Sequence, residues 1–324
     1  MNYASYYLEG MRRLYGKNSI RFTSKYFSQF KHNGRHVALI VKQGERSAKI
    51  IIDFGDVSVI DQKGYEWCDH YAKINIDFES LARHDKLLSI GPSFGIRVFS
   101  FPETVALSLR NYIKGRKRIE NVRYFFADYK AQLKRRRVED YQNNKKSNDR
   151  MVFFASSLWK LEPETNLFRA NFINAAKKNN EIDFVGGFSP RIQNDIPGFE
   201  HLTMAGRIDF DEYLDLTKRS ITTFSTPAVG KCHGWKIGEF LAMGKAVIST
   251  PLTRELPQPL LDGVHILYTD GSEENIAGHL RALQSSKELR ETLEKNALAY
   301  FNENLLPEKV VAAIFQKALG PTIQ

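Results

Sequence analysis

From residue 151 onward the chain alternates short apolar runs with helical patterns, and this alternation restricts the possible folds more than any other feature. Runs rich in β-branched and aromatic residues stand at 151–155 (MVFFA), 182–185, 221–224, 246–249 and 266–268. Helical periodicity occupies 166–178, 212–218, 235–243, 274–284, 287–301 and 307–319. Thr165 is the expected N-cap of the first of these helices, and Gly244 the C-terminal stop of the third. The run at 182–185 is expected to end at Gly186-Gly187. Strands alternating in this way with helices predict an α/β fold with a parallel, doubly wound sheet.

The first part is less regular. A helical stretch at 6–15 breaks at Gly16, and β-rich runs follow at 37–42, 49–53, 73–76 and 87–90. The last enters a tight Gly91-Pro92-Ser93-Phe94-Gly95 loop, and a helical pattern covers 104–112. The polar, breaker-rich stretch 143–149 (NNKKSND) reads as a linker. The expected division is therefore 1–147, 148–305 and a terminal helix at 306–324. A length of 324 residues suits two domains, and 42% hydrophobic residues with 12% aromatics exclude disorder and a coiled coil. No apolar run approaches the roughly 18 residues of a membrane span, and the opening MNYASYYLEG does not read as a signal peptide. Two cysteines, Cys68 and Cys232, cannot build a disulfide framework, so a reducing, cytoplasmic compartment is expected.

The net charge of +10 invites a nucleic-acid reading, but it is concentrated in one place. Residues 114–150 carry thirteen basic and five acidic side chains, a local +8 that leaves +2 for the rest. Ile119, Val122, Phe126, Tyr129 and Leu133 recur at spacings of three and four there, the pattern of an amphipathic helix. Such a helix either meets an anionic membrane surface or is a solvated face on a core-packed element. No recognisable nucleic-acid module accompanies it.

The most informative segment is 226–251, TPAVGKCHGWKIGEFLAMGKAVISTP. A strand ends, a loop with Gly230 and Gly234 follows, and a short helix begins. Ligands of open α/β sheets bind beyond the carboxyl ends of strands, where helix N-termini offer free N–H groups to phosphate. Lys236 and Glu239, three apart, are expected to project together away from the apolar face of Ile237, Phe240, Leu241 and Gly244. Glu239 then reaches a ribose, as a pure acceptor for two vicinal hydroxyls, while Lys231, His233 and Lys236 offset diphosphate charge. An exposed Lys236–Glu239 ion pair explains the same two residues without a ligand.

The stretch from Thr226 to about Tyr300 resembles the donor-binding domain of GT-B-fold glycosyltransferases of the group-1, family-4-like class. Pro227, Gly234, Glu239, Leu241, Ala242, Gly244, Lys245, Val247, Ile248, Ser249 and Thr250 carry that resemblance. Arg254-Glu255, Asp262-Gly263 and KELRETLEKNALAYF continue it. The phrase CHGWKxGEFLAxGKAxIST is also similar to bacterial cell-surface glycosyltransferases with compact N-terminal domains. The likeness is specific over roughly the last 100 residues, thinner from 150 to 220 and weak before that. It implies two Rossmann-like lobes facing across a cleft, with the terminal helix packing back on the first. In that family two acids eight apart contact the donor, the second at the ribose and the first at the sugar. Glu239 matches the second, whereas the first falls on Lys231. The family also tends to place Arg and Lys after the first strand of the donor domain. Here Ser156, Ser157, Trp159 and Lys160 stand there, with Lys160 and Arg169 as candidate phosphate contacts.

The donor-binding expectation therefore comprises Glu239, Lys236, Gly234, Trp235, His233, Lys231, Lys160 and Thr250. Lys236 and His233 are the candidate leaving-group stabilisers, no catalytic base is identified, and Gly91 and Ser93 are acceptor-side candidates. Asp53 and Asp56 (DFGD) do not have metal-binding Asp-x-Asp spacing, and Trp67-Cys68-Asp69-His70 lacks a second ligand cluster, so no metal and no cofactor is expected. Cys232 and His233, being adjacent, make a poor nucleophile–base pair. The expected activity is metal-independent sugar transfer from a nucleotide sugar to a glycan or lipid-linked acceptor in capsule, lipopolysaccharide or other cell-surface polysaccharide assembly. The resemblance implies retention of anomeric configuration. With the cysteine usage, the expectation is a cytoplasmic enzyme, peripheral on the inner face of the membrane if 114–150 meets anionic lipid. The alternatives are another GT-B enzyme, such as a sugar epimerase or phosphorylase, and a non-catalytic basic module binding nucleic acid or membrane.

Overall fold

Two units make up the chain in a computed structural model that describes residues 3–30, 34–142, 147–191 and 196–320. The first comprises Met1–Asp140, Glu255–Pro257 and Glu303–Gln324, the second Tyr141–Arg254 and Gln258–Asn302. Both are mixed α/β with parallel strands, in the second unit as the alternation predicts.

In the first unit, α1 (Ala4–Tyr15) precedes an antiparallel hairpin of β1 (His36–Gln43) and β2 (Arg46–Asp53). α2 (Gln62–Trp67), β3 (His70–Lys73), α3 (Phe78–Arg83) and β4 (Leu87–Ser89) follow, with β3 and β4 joining the sheet parallel to β2. The strand order is β1-β2-β3-β4. Ile50, Ile51 and Ile52 are all fully buried, so β2 is covered on both faces. β3 lies three residues earlier than the 73–76 run suggests. Its position follows from β2, which pairs Ile50 with His70 and Asp53 with Lys73. Asp61 and Asp77 cap α2 and α3 through the N–H groups of Gly64 and Ser80.

α4 (Phe101–Gly115) begins with a Ser100–Glu103 capping box, and α5 (Val122–Ala131) begins at Asn121. The basic segment is therefore not the single amphipathic helix expected. Residues 116–118 and 132–134 are short 3₁₀ turns, α6 (Val138–Gln142) is separate, and 143–146 fall outside the described residues along with most of the expected linker. Val122 is exposed while Tyr129 is buried, so the Ile119–Leu133 spacing does not form one continuous face.

The second unit runs β5 (Met151–Ser156), α7 (Pro163–Lys178), β6 (Asp183–Phe188), α8 (Phe210–Arg219), β7 (Thr223–Ser225), α9 (Trp235–Ala242), β8 (Val247–Ser249), β9 (Leu267–Tyr268), α10 (Glu273–Ser285) and α11 (Lys287–Tyr300). β6 pairs with β5, and β7, β8 and β9 pair in that order, all parallel. The Ile221 N–H donates to the Met151 carbonyl at 2.8 Å, laying the run into β7 beside β5. The chain thus travels outward from β5 to β6, returns to β7 and proceeds away on the other side, which makes the β5–β7 boundary the switch point of the sheet. Phe154, Phe172 and Phe224 anchor the core beneath it, the last two stacked at 4.6 Å.

Two local expectations are corrected. α7 starts at Pro163, whose fixed φ suits the first helical position, so Thr165 is inside the helix rather than its cap. β6 continues through Gly186 and Gly187 to Phe188, because the ladder with β5 extends to Ser156.

The chain ends in α12 (Pro307–Leu319), which belongs to the first unit and packs along α1. Gly10 permits that approach: a Cβ there collides with the Pro307 carbonyl and lies 2.7 Å from the Val311 side chain. Backbone cannot yield as a side-chain tip does. Gly10→Ala is therefore expected to destabilise the protein by about 1–3 kcal/mol, read as a lower urea midpoint with an unchanged slope.

Candidate functional site

At the switch point the loops after β5 and β7 converge, and a buried arginine bridges them. Arg169, on α7, donates from Nε to Thr226 Oγ1 at 3.1 Å and from Nη1 to the Ser157 carbonyl at 3.0 Å. Only 8% of it is exposed. Burial lowers its pKa to about 10, with the nearby Cys232 and Glu162 acting in the opposite direction. Both hydrogen-bond partners are neutral, and among the described residues Arg169 makes no ion pair. Arg169 is thus buried between two loops rather than solvated on the surface of α7.

Lys236 lies on the first turn of α9 with its ammonium turned inward. Nζ donates to the Ala155 carbonyl on β5 and lies 5.5 Å from the Tyr213 ring centre and 5.9 Å from that of Trp235. Its pKa falls to about 7, first through burial and then through the positive charge of Arg169, with Glu239 opposing both. It too lacks an ion-pair partner among the described residues. Two desolvated cations that repel each other, each held by neutral oxygens, form a site with a deficit of negative charge.

The loop that delivers α9 is pinned. Gly230 and Lys231 have φ of 63° and 61°, and Gly234 enters the helix at φ 50°. The Gly230 N–H donates to Glu162 at 2.7 Å, its carbonyl accepts from Arg254 at 2.7 Å, and the Lys231 carbonyl accepts from Thr253 Oγ1 at 2.6 Å. Gly234 provides no side-chain cap, leaving the first N–H groups of α9 available to an anion. Thr250, just beyond β8, is 3% exposed, and its hydroxyl has no hydrogen-bond partner among the described residues. A buried hydroxyl in that state carries a desolvation cost that an incoming acceptor removes.

Of the remaining candidates, His233 is buried in the loop and Trp235 is partly exposed at the helix start. Lys231 and Lys160 are exposed, Lys160 in the turn after β5. Glu239 does not project outward beside Lys236 as an exposed partner. It is 1% exposed, with Tyr141 Oη 3.4 Å from Oε1 and Tyr213 Oη 3.5 Å from Oε2. Both distances are at the outer limit of hydrogen bonding. Burial and the Glu239 charge keep the Tyr213 phenol well above its ordinary pKa, so it remains a donor. Neither tyrosine is singled out by sequence reasoning, because their elements, α6 and α8, are far from Glu239 along the chain.

Gly91 and Ser93 belong to the first unit. Gly91 faces Pro257 and Leu305, and the Ser93 hydroxyl accepts from Tyr7 at 3.2 Å. Asp53, the first acid of DFGD, is engaged by Lys73 at 2.8 Å, Tyr71 at 2.7 Å and the Gly55 N–H at 2.8 Å.

No family model matches the chain, and no curated protein matches it. Among solved structures it is similar to the C-terminal domain of a group 1 family glycosyl transferase from Francisella tularensis, at 18% identity and TM-score 0.33 over 51% of this chain and 90% of that one. It is also similar to a glycosyltransferase from Rickettsia africae, at 13% identity and TM-score 0.46 over 82% and 69% of the two chains. A UDP-GlcNAc 2-epimerase from Neisseria meningitidis, solved with UDP-GlcNAc, is similar at 14% identity and TM-score 0.39 over 81% and 68%.

Proposed function

We propose that the chain is a GT-B-type glycosyltransferase whose second unit binds a nucleotide sugar through its diphosphate. The carrying observation is a pair of cations at the switch point beside the uncapped start of α9, Arg169 buried and Lys236 half-buried with its ammonium turned inward, neither in an ion pair among the described residues. In transfer, the bond from the anomeric carbon to the diphosphate oxygen breaks with its electron pair going to that oxygen. The acceptor oxygen bonds the carbon and releases its proton to solvent water. Charge therefore develops on the diphosphate, where a fixed ammonium and helix N–H groups stabilise it without reorganisation. Thr250 donates to the same anion, and Glu239 takes the ribose diol in exchange for its long contacts to Tyr141 and Tyr213. The match of residues 226–250 to the family-4-like pattern supports retention of configuration, with Lys231 in place of the acid at the sugar. A glycan or lipid-linked acceptor of the cell surface is the substrate class that pattern supports.

Calorimetry with UDP, GDP, ADP and CMP tests the reading. One nucleoside diphosphate is expected to bind, and Glu239→Ala is expected to weaken it by roughly tenfold while leaving inorganic pyrophosphate unaffected, since only the ribose contact is lost. Binding of none of the nucleotides overturns the proposal. A panel of nucleotide sugars then names the donor by slow hydrolysis, and appearance of an epimerised sugar in place of hydrolysis assigns the epimerase chemistry instead.

A further inference from the structure

α4 is built inside out. Its buried face carries Thr104, Ser108 and Asn111, whereas Phe101, Val105, Leu109 and Ile113 are 65%, 40%, 49% and 66% exposed. Those four recur every fourth residue, so they line one side of a helix about 22 Å long. The inward polar residues have specific partners. Thr104 Oγ1 accepts from the fully buried Gln132 at 2.8 Å, and Asn111 donates to Tyr129 Oη at 2.9 Å. The helix is thus held on one side by hydrogen bonds and by Tyr112 against Phe125 and Phe126, and among the described residues its apolar stripe is uncovered on the other. A stripe of this kind exceeds the scattered apolar exposure of an ordinary surface.

Beside the C-terminal half of α4 lies a groove of about 890 Å³ shared with residues 20–26. Arg21, Lys25, Arg110, Lys114 and the Arg116–Arg118 run line it, together with Phe22 and Tyr26, and no acid does. Arg118 latches the two segments by donating to the Ser24 carbonyl. Apolar side chains flanked by cations match the headgroup boundary of a bilayer, which offers hydrocarbon and phosphate at adjacent depths. Among the described residues no helix is long and apolar enough to cross a membrane, so the contact lies in the surface plane.

We propose that α4 is an interfacial helix that lays Phe101, Val105, Leu109 and Ile113 into an anionic phospholipid surface, with the neighbouring basic groove taking the lipid phosphates. This does not depend on the reaction proposed above. The test is co-sedimentation of the full chain with phosphatidylcholine vesicles with or without about 30% phosphatidylglycerol. Binding to the anionic vesicles alone, weakened by salt, is expected. Leu109→Ser with Ile113→Ser is expected to lower partitioning at least about tenfold while nucleotide affinity stays the same, because both side chains are exposed. Phe101→Trp is expected to shift its fluorescence to shorter wavelength on adding the anionic vesicles. Equal pelleting with neutral vesicles, or partitioning indifferent to the paired serine substitution, overturns the proposal. So does a concentration-dependent dimer that the same substitutions abolish, which assigns the stripe to a second copy of the chain.

Discussion

Lys236→Met is expected to lower affinity for the bound nucleoside diphosphate by roughly 10- to 100-fold, the worth of a charge-assisted contact in a dry site. Its melting temperature is expected to be unchanged or higher than that of the parent protein. An ammonium whose pKa is depressed to about 7 by burial and by Arg169 is a burden on the unliganded fold, and methionine keeps the stem's volume without the charge. The sign follows from proton linkage. Between the ordinary lysine value and about 7 the unfolded chain holds a proton that the folded chain does not, so the stability deficit grows as pH falls through that window. Thermal melts of the two proteins should diverge in favour of the variant as the solution is taken from pH 10 toward pH 7 and then run parallel. Arg169→Met is the less clean counterpart, since it also removes the bonds that tie Ser157 to Thr226. Unchanged nucleotide affinity in Lys236→Met removes the central argument for the donor site.

Nucleotide affinity is expected to fall by as much as tenfold per pH unit above about pH 7. Over about pH 7.5–8.5 the diphosphate is almost fully ionised and a uracil or guanine base is still neutral, so Lys236 is the group whose charge changes. Unliganded, it is mostly neutral there. A bound diphosphate raises its pKa, and binding must then take up a proton. Calorimetry at pH 8 in two buffers of different ionisation enthalpy should show uptake approaching one proton per nucleotide. Lys236→Met should show neither the uptake nor the slope. A flat profile in the parent protein separates a permanently charged lysine from the one the fold contains.

Much of the second unit is legible in the sequence because its periods are distinct. Strands such as MVFFA and helices such as 287–300 differ in length and spacing, and Gly234 and Gly244 mark where one gives way to the other. What escapes is whatever a distant partner decides. Arg169 looks like surface on its own helix and is buried because two loops, reached by Ser157 and Thr226, close over it. Glu239 looks free to reach outward, yet Tyr141 and Tyr213 enclose it from elsewhere in the chain. α4 is the sharpest case, since its sequence has both a polar and an apolar face. Periodicity alone assigns the apolar one to the core. Gln132 and Tyr129 reverse that choice by accepting the polar face, information that no local window contains.

The return of α12 to α1 also fixes an order of events during synthesis. Tyr6 donates to the Leu305 carbonyl, Tyr15 stacks on Phe315, and Val310, Val311 and Ile314 are buried with them. A ribosome releases 1–140 first, but that unit cannot finish its core until residues past 303 emerge. The second unit, complete at Asn302, is free to close before it. Residues 1–140, made before the second unit, therefore mature after it, and the side of α1 that meets α12 waits uncovered for the length of an entire domain.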